Sequence, residues 1–330
     1  MLQFLADQID QLDLALDQLA TRDRNFDRFA IMLIDNVVEL TLHQHARDQA
    51  NENESWSRHS KPKHDPKVIA AALGQNFEHK VRLARSTSMV SGNIADSIQY
   101  LHTFRNTVYH KGQRHEGILH SLAIFYFQNA CAVLKNLKPR YWSYGGRDHV
   151  SHRAIKYLGM PAPSNYRETW QKACDRLSEV SQSLGDTLIT DLLSDMDKTI
   201  NQVDENLSFL TTNSLTPTTR TQEILAAQAW PFAFTDEGKA WANSNGCPPL
   251  SVTELASWLS DHYPWPTKND PIPSWTKRKH SLESETDTHM ALKKYCDFMK
   301  QTEDIRGKID EATALLDGYI QHQIDIARDK

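Results

Sequence analysis

Residues Ile118 to Leu137 constrain this chain more than any other stretch. The run carries Leu119, Leu122, Ile124, Phe125, Phe127, Val133 and Leu134, apolar almost all the way round a helix, so it has no face to offer water. Other elements must enclose it, either helices of the same chain or a second chain. Glycine is scarce, at 12 of 330 residues, helix formers abound and strand-like alternation is rare. The predicted fold class is all-α.

The preceding residues supply the enclosing helices. Leu2 to Ala20 sets Leu5, Ile9, Leu12, Leu16 and Leu19 on one stripe, with Asp7, Asp10, Asp13 and Asp17 on a face expected to be solvated. Asn25 to Ala50 is apolar over much of its circumference, as a central bundle helix would be. Asp35 and Glu39 interrupt it, four residues apart on one face. They either face solvent or cap a neighbour, or are buried against a cation, for which Arg105 is the candidate. His43 and His45 follow, but no further ligand cluster accompanies them and no metal or cofactor is expected. Residues 51–66 read as a polar loop. Asp65-Pro66 suits the N-cap and first turn of a helix running to Leu83. Ser91-Gly92-Asn93 then opens a helix with Ile94, Ile98, Leu101 and Phe104 toward the core.

That helix delivers Phe104-Arg105-Asn106-Thr107-Val108-Tyr109-His110-Lys111-Gly112. Arginine offers a permanent charge in a planar fork that matches phosphate oxygens. Histidine gives and takes a proton near neutral pH, and an asparagine amide can fix a neighbour's rotamer or tautomer. Asn106 and His110, four apart, share a helix face. Arg105 and His110, five apart, meet only if the helix frays before Gly112 or the arginine reaches across. Tyr109 and Lys111 are accessory candidates. The chain is acidic overall, with a formal net charge of -5, yet Lys61, Lys63, Arg82, Arg85 and Arg114 lie in a locally basic stretch around the motif and are candidate RNA contacts.

The second half differs in texture. Residues 138–164 read as irregular, with Tyr141, Trp142, Tyr144 and Arg147 as either packed aromatics or a stacking surface for single-stranded bases. Helix resumes at Tyr166 and is expected to run to Leu210 on near-heptad spacing. The same spacing returns from about Thr286 to the end, and the two long helices are expected to pair as an antiparallel hairpin, with a partner chain as the rival. Between them, Thr219 to Trp230 and Ser251 to His262 carry helix-start signals. Residues 232–238 suggest a short β excursion, Asp270 to His280 an exposed linker, and Trp241, Trp258, Trp265 and Trp275 a compact core.

Arg105-Asn106-Thr107-Val108-Tyr109-His110 resembles the R-x4-to-6-H motif of the HEPN superfamily of α-helical ribonucleases and nucleic-acid-binding domains. The flanking helices have the expected order over roughly residues 25 to 140. The resemblance implies a homodimer whose two motifs face each other across a cleft, cutting RNA without metal. His110 would be general acid or base, Arg105 the phosphate clamp and Asn106 the orienting residue. It also implies a toxin or phage-defence setting, with an antitoxin or regulatory protein as partner. A subgroup places tyrosine two residues after the histidine; here that position is Gly112, so control through that tyrosine is not implied.

The organisation read from sequence is a HEPN-like bundle over 1–140, a connector over 141–164 and a C-terminal helical region over 165–330 with a Trp- and Pro-rich segment at 216–281. No apolar run is long enough to span a bilayer, and the four cysteines, Cys131, Cys174, Cys247 and Cys296, form no paired motif. A cytoplasmic protein is expected. No phosphate loop, nucleophile elbow or metal signature marks the second half. Two other readings stay open: a non-catalytic helical module binding RNA, nucleotide or protein, and a scaffold without nucleic acid.

Overall fold

The structure, a computed structural model, describes residues 2–57, 62–111, 116–139, 150–159, 166–214 and 216–328, and only the backbone at 56, 57, 107–111, 116 and 166. Among the described residues there are fourteen α-helices and no strand, so the fold is all-α. Among the described residues no helix is long and apolar enough to cross a membrane. The chain divides into two compact units. The first takes Met1–Leu192 and Thr286–Lys293, the second Leu193–Glu285 and Lys294–Lys330.

In unit 1 the sequence enters through α1 (Leu2–Ala20), α2 (Arg24–Ser57), α3 (Pro66–Ala72), α4 (Phe77–Ser86) and α5 (Gly92–Lys111). It continues through α6 (Leu119–Asn136), α7 (His152–Leu158) and α8 (Tyr166–Gln182). The apolar helix α6 is the centre: 13 of its 18 residues are buried, against α1, α2, α5 and α8. At about 1.5–3 kcal/mol for each large apolar side chain removed from water, this enclosure dominates the unit's stability. Helix α2 runs alongside α6 in the same direction, since Asp27 meets His120 at one end and Asp35 meets Tyr126 further on.

Several local expectations change. Helix α2 continues through residues 51–57 instead of ending at Ala50, because tertiary contacts reward the extension. The buried Asn53 donates to His64 O (2.8 Å) and accepts from the amides of Lys63 (3.1 Å) and His64 (3.2 Å). The helix expected from Asp65 to Leu83 begins as foreseen, with Asp65 accepting from Lys67 N, but breaks at Gly74 and restarts under an Asn76 cap. Between 138 and 164, where no element was expected, α7 forms behind a Ser151 cap and ends at Gly159 with φ 74°. The helix expected from Tyr166 to Leu210 breaks at Leu184-Gly185, Gly185 taking φ 100°.

Helix α7 also corrects the reading of α1. Asp13 is buried, not solvated, and holds Tyr157 OH at 2.5 Å, Arg153 Nη1 at 2.7 Å and Lys156 Nζ at 3.1 Å. Burial alone would raise its carboxyl pKa, yet these three donors outweigh it and hold the group below its ordinary value.

Unit 2 comprises most of α9 (Leu188–Asn213) and α14 (Thr288–Arg328), with α10 (Arg220–Ala233), α11 (Asp236–Ser244), α12 (Val252–His262) and α13 (Ile272–Glu283) between them. Helices α9 and α14 pack side by side but in parallel, not as an antiparallel hairpin. Asp195 accepts from Tyr295 at one level and Asn206 donates to Asp310 further along. The return path is α13, antiparallel to both: Lys279 pairs with Asp197 (2.6 Å), and Trp275 meets Phe298 edge-on. The stretch expected to be an exposed linker is thus this helix, with prolines at its start where no amide is needed.

Helices α10 and α12 start with complete capping boxes, Thr219 with Gln222 and Ser251 with Glu254. They close over a core in which Trp265 is buried and Trp241 and Trp258 pack at the edge. Residues 232–238 turn into α11 under a Thr235 cap, not into a strand. The turn is so tight that a Cβ on Gly238 would lie 2.1 Å from Phe232 O.

Gly238→Ala is expected to destabilise unit 2 by roughly 1–3 kcal/mol through the backbone clash, against its helix propensity. Gly307→Ala in α14, where a Cβ meets nothing within 4 Å, is expected to stabilise by about 0.5–1 kcal/mol. Urea unfolding of the two variants should shift in opposite directions. A separate prediction concerns His45, whose Nε2 lies 2.8 Å from Thr87 Oγ1. Burial, helped by His64 and opposed by Glu52, holds its pKa down to about 4. The unfolded chain binds the proton first, so His45's contribution is whole above about pH 6.5 and lost as pH falls toward 4. It is expected to reach about 2–3 kcal/mol. His45→Gln should flatten the slope of unfolding free energy across that window; an unchanged slope would place the titration elsewhere.

Candidate functional site

The apolar circumference of α2 carries Asp35 into the interior, where its residue is 1 % exposed. A buried carboxylate needs donors. Asp35 has them from two other helices: Oδ1 accepts from Tyr126 OH on α6 at 2.6 Å and lies 2.8 Å from His102 Nδ1 on α5. Arg105, one turn beyond His102, brings Nε to 3.5 Å from Asp35 Oδ2. That approach is electrostatic rather than an in-line hydrogen bond, since Arg105 Nε is buried with no hydrogen-bond partner. Arg105 Nη1 donates to Asn106 Oδ1 at 2.9 Å.

The surroundings fix this cluster. His102 stacks flat on Phe77 of α4, with centroids 4.0 Å apart. With Asp35 as acceptor, His102 Nδ1 carries the proton. Burial, then the charge of Asp35 and its hydrogen bond, then Glu39, push the Tyr126 phenol well above its ordinary pKa, with Arg105 opposing, so Tyr126 remains a donor. The Arg105 side chain is 39 % exposed, so one end of the guanidinium is anchored while the side chain still reaches the surface.

The other residues singled out from sequence are dispersed around this centre. Glu39 pairs with Lys80 at 3.1 Å rather than with Arg105, and the buried Lys80 also donates to Gly74 O. Lys63 pairs with Glu52 (3.0 Å), Arg82 with Glu78 (3.0 Å) and Arg85 with Asp96 (3.2 Å). Such exposed pairs contribute about 0–1 kcal/mol and exchange readily for another anion. Helix α5 is continuous through Lys111, so positions 105 and 110 stand five residues and about 140° apart on an unfrayed helix. The side chains of Tyr109, His110 and Lys111, and all of Lys61, Gly112, Arg114, Tyr141, Trp142, Tyr144 and Arg147, lie outside the described residues.

His102 and Tyr126 escaped the sequence reading, as did the pairing of Lys80 with Glu39. The signals were present: His102 is three residues before Arg105 on the same helix face, and a tyrosine inside the apolar α6 must find a partner for its hydroxyl. Among the described residues no group of three or more His, Cys, Asp or Glu is placed to hold a metal ion. No protein-family model, no curated protein and no solved structure matches the chain at a significant level.

The cluster makes Arg105 and Asp35 interdependent. Tyr126→Phe, which strips a buried donor from Asp35, is expected to cost about 1–3 kcal/mol in urea unfolding. In a cycle of Arg105→Ala, Asp35→Asn and the double variant, a coupling of about 0.5–3 kcal/mol is expected. Simple additivity of the two single effects would mean that Asp35 does not hold Arg105.

Proposed function

We propose that the chain is a HEPN-type ribonuclease: a homodimeric, metal-independent endonuclease that cuts single-stranded RNA and leaves 2',3'-cyclic phosphate and 5'-hydroxyl ends. RNA carries its own nucleophile in the 2'-hydroxyl. The enzyme must supply a base for that proton, charge for the phosphorane and an acid for the leaving 5'-oxygen. In this reading His110 moves the protons, one histidine from each protomer, and Arg105 stabilises the charge on phosphate. Asn106 sets the guanidinium's orientation. The protein acts in the cytoplasm as a toxin or phage-defence effector, restrained or triggered by a protein partner.

The observation that supports this reading is the seating of Arg105. A buried carboxylate, itself fixed by Tyr126 and His102, sits 3.5 Å from Arg105 Nε, and Asn106 Oδ1 accepts a hydrogen bond from Arg105 Nη1. A guanidinium held in this way loses little freedom when a phosphate arrives, which is the preorganisation that charge stabilisation requires. The same ion pair favours a second reading, a non-catalytic helical module in which Arg105 fastens α5 to α2.

End-labelled single-stranded RNA, incubated in EDTA with wild type, His110→Ala and Arg105→Ala, separates the two. Cyclic-phosphate fragments from the wild type are expected, reduced by about 10²-fold or more in each variant. Absence of cleavage across several RNAs, or fragments made equally by His110→Ala, would reject the nuclease and leave the binding module.

A further inference from the structure

Unit 2 ends in a helix that outruns its support. Along α14, Ile309, Ala312, Leu316, Tyr319, Gln323 and Ile326 step by three and four without a break, the spacing of a coiled-coil seam. As far as its middle it is covered within the unit: Ile305 and Ile309 are buried, and Asn206 of α9 reaches Asp310. Cover then runs out past an open cleft between α9 and α14 at Phe209, Thr313 and Asp317. Leu315, Tyr319 and Ile326 are 58, 48 and 40 % exposed, and every residue from 321 to 328 is exposed. The uncovered turns of α14 carry an apolar stripe that asks for a cover.

Charge placement selects the cover. With Ile309, Leu316 and Gln323 at a positions and Ala312, Tyr319 and Ile326 at d, the charged residues of 311–328 are Glu311, Asp317, Asp325 and Arg328. All four fall at b, c or f, away from the seam. The flanking e and g positions hold Thr313, Leu315, Ile320, His322 and Ala327, with no acid or permanent cation among them. Three acids against one arginine leave this segment at -2, yet two copies can meet along this face without opposing those charges.

We propose that this face of α14 is an interface with a second copy of the chain, the two helices lying parallel and in register. In that register Leu315 of one copy meets Ile320 of the other, and Gln323 meets Gln323, where each amide donates to and accepts from its twin. A shifted or antiparallel pairing sets that amide against apolar residues and leaves it unsatisfied. The seam from Ala312 to Ala327 is about 24 Å long at the helical rise of 1.5 Å per residue, short for a permanent interface, so the association is reversible and concentration-dependent. It does not depend on nuclease activity.

The test is site-specific crosslinking of the full-length chain. Gln323→Cys, mildly oxidised at high micromolar concentration, is expected to give a reducible dimer, while Asp325→Cys on the outer face and unsubstituted protein give little. Adding Tyr319→Glu, at a largely exposed position where folding is not at stake, should abolish the Gln323→Cys dimer. Equal crosslinking at 323 and 325, none at 323, or a dimer indifferent to Tyr319→Glu would overturn the proposal. A dimer formed only through unit 1 would show itself by the first of these patterns or by the last.

Discussion

A helix without a polar face cannot exist at a surface, and unit 1 is the answer to that constraint. Once α6 is enclosed, the identity of its neighbours follows: α2 must present apolar side chains over a long arc, and α1, α5 and α8 fill the remaining sides. The parallel run of α2 beside α6 is what lets acids on α2 meet donors on α6 at two levels, Asp27 with His120 and Asp35 with Tyr126. Polar specificity is therefore written into an otherwise non-directional hydrophobic packing.

Asp35 is where that specificity touches the proposed chemistry. Removing a carboxylate from water costs several kcal/mol, which its donors must offset. Two of those groups, His102 and Arg105, sit on the same face of α5, so the cluster fixes both the rotation of α5 and the start of the Arg105-to-His110 motif. Packing and site preorganisation share one set of contacts.

Much of this was legible in the sequence because it is local. The bounds of α1, the apolar circumference of α6 and the capping boxes of α10 and α12 depend on residues within one or two turns of each other. Asp35 was read as either solvated or held by Arg105, and the choice needed α6 to be placed. What escaped depends on residues distant in sequence. Asp13 is buried because of partners 140 to 144 residues later, and α2 passes Ala50 because Asn53 binds the backbone of 63 and 64. Periodicity also cannot give the relative direction of α9 and α14, since a seam reads alike in both senses.

The parallel arrangement of α9 and α14 has a consequence for synthesis on the ribosome. The apolar face of α9 finds its matching helix only after a long delay: the contact between Asp195 and Tyr295 closes a separation of 100 residues. At about 5–20 residues per second, α9 waits roughly 5–20 s before α14 emerges. During that interval α13 is the earlier arrival, and α10 to α12, whose contacts are local, can close on their own core. The order of emergence thus makes α13 the temporary cover of a surface that α14 finally seals.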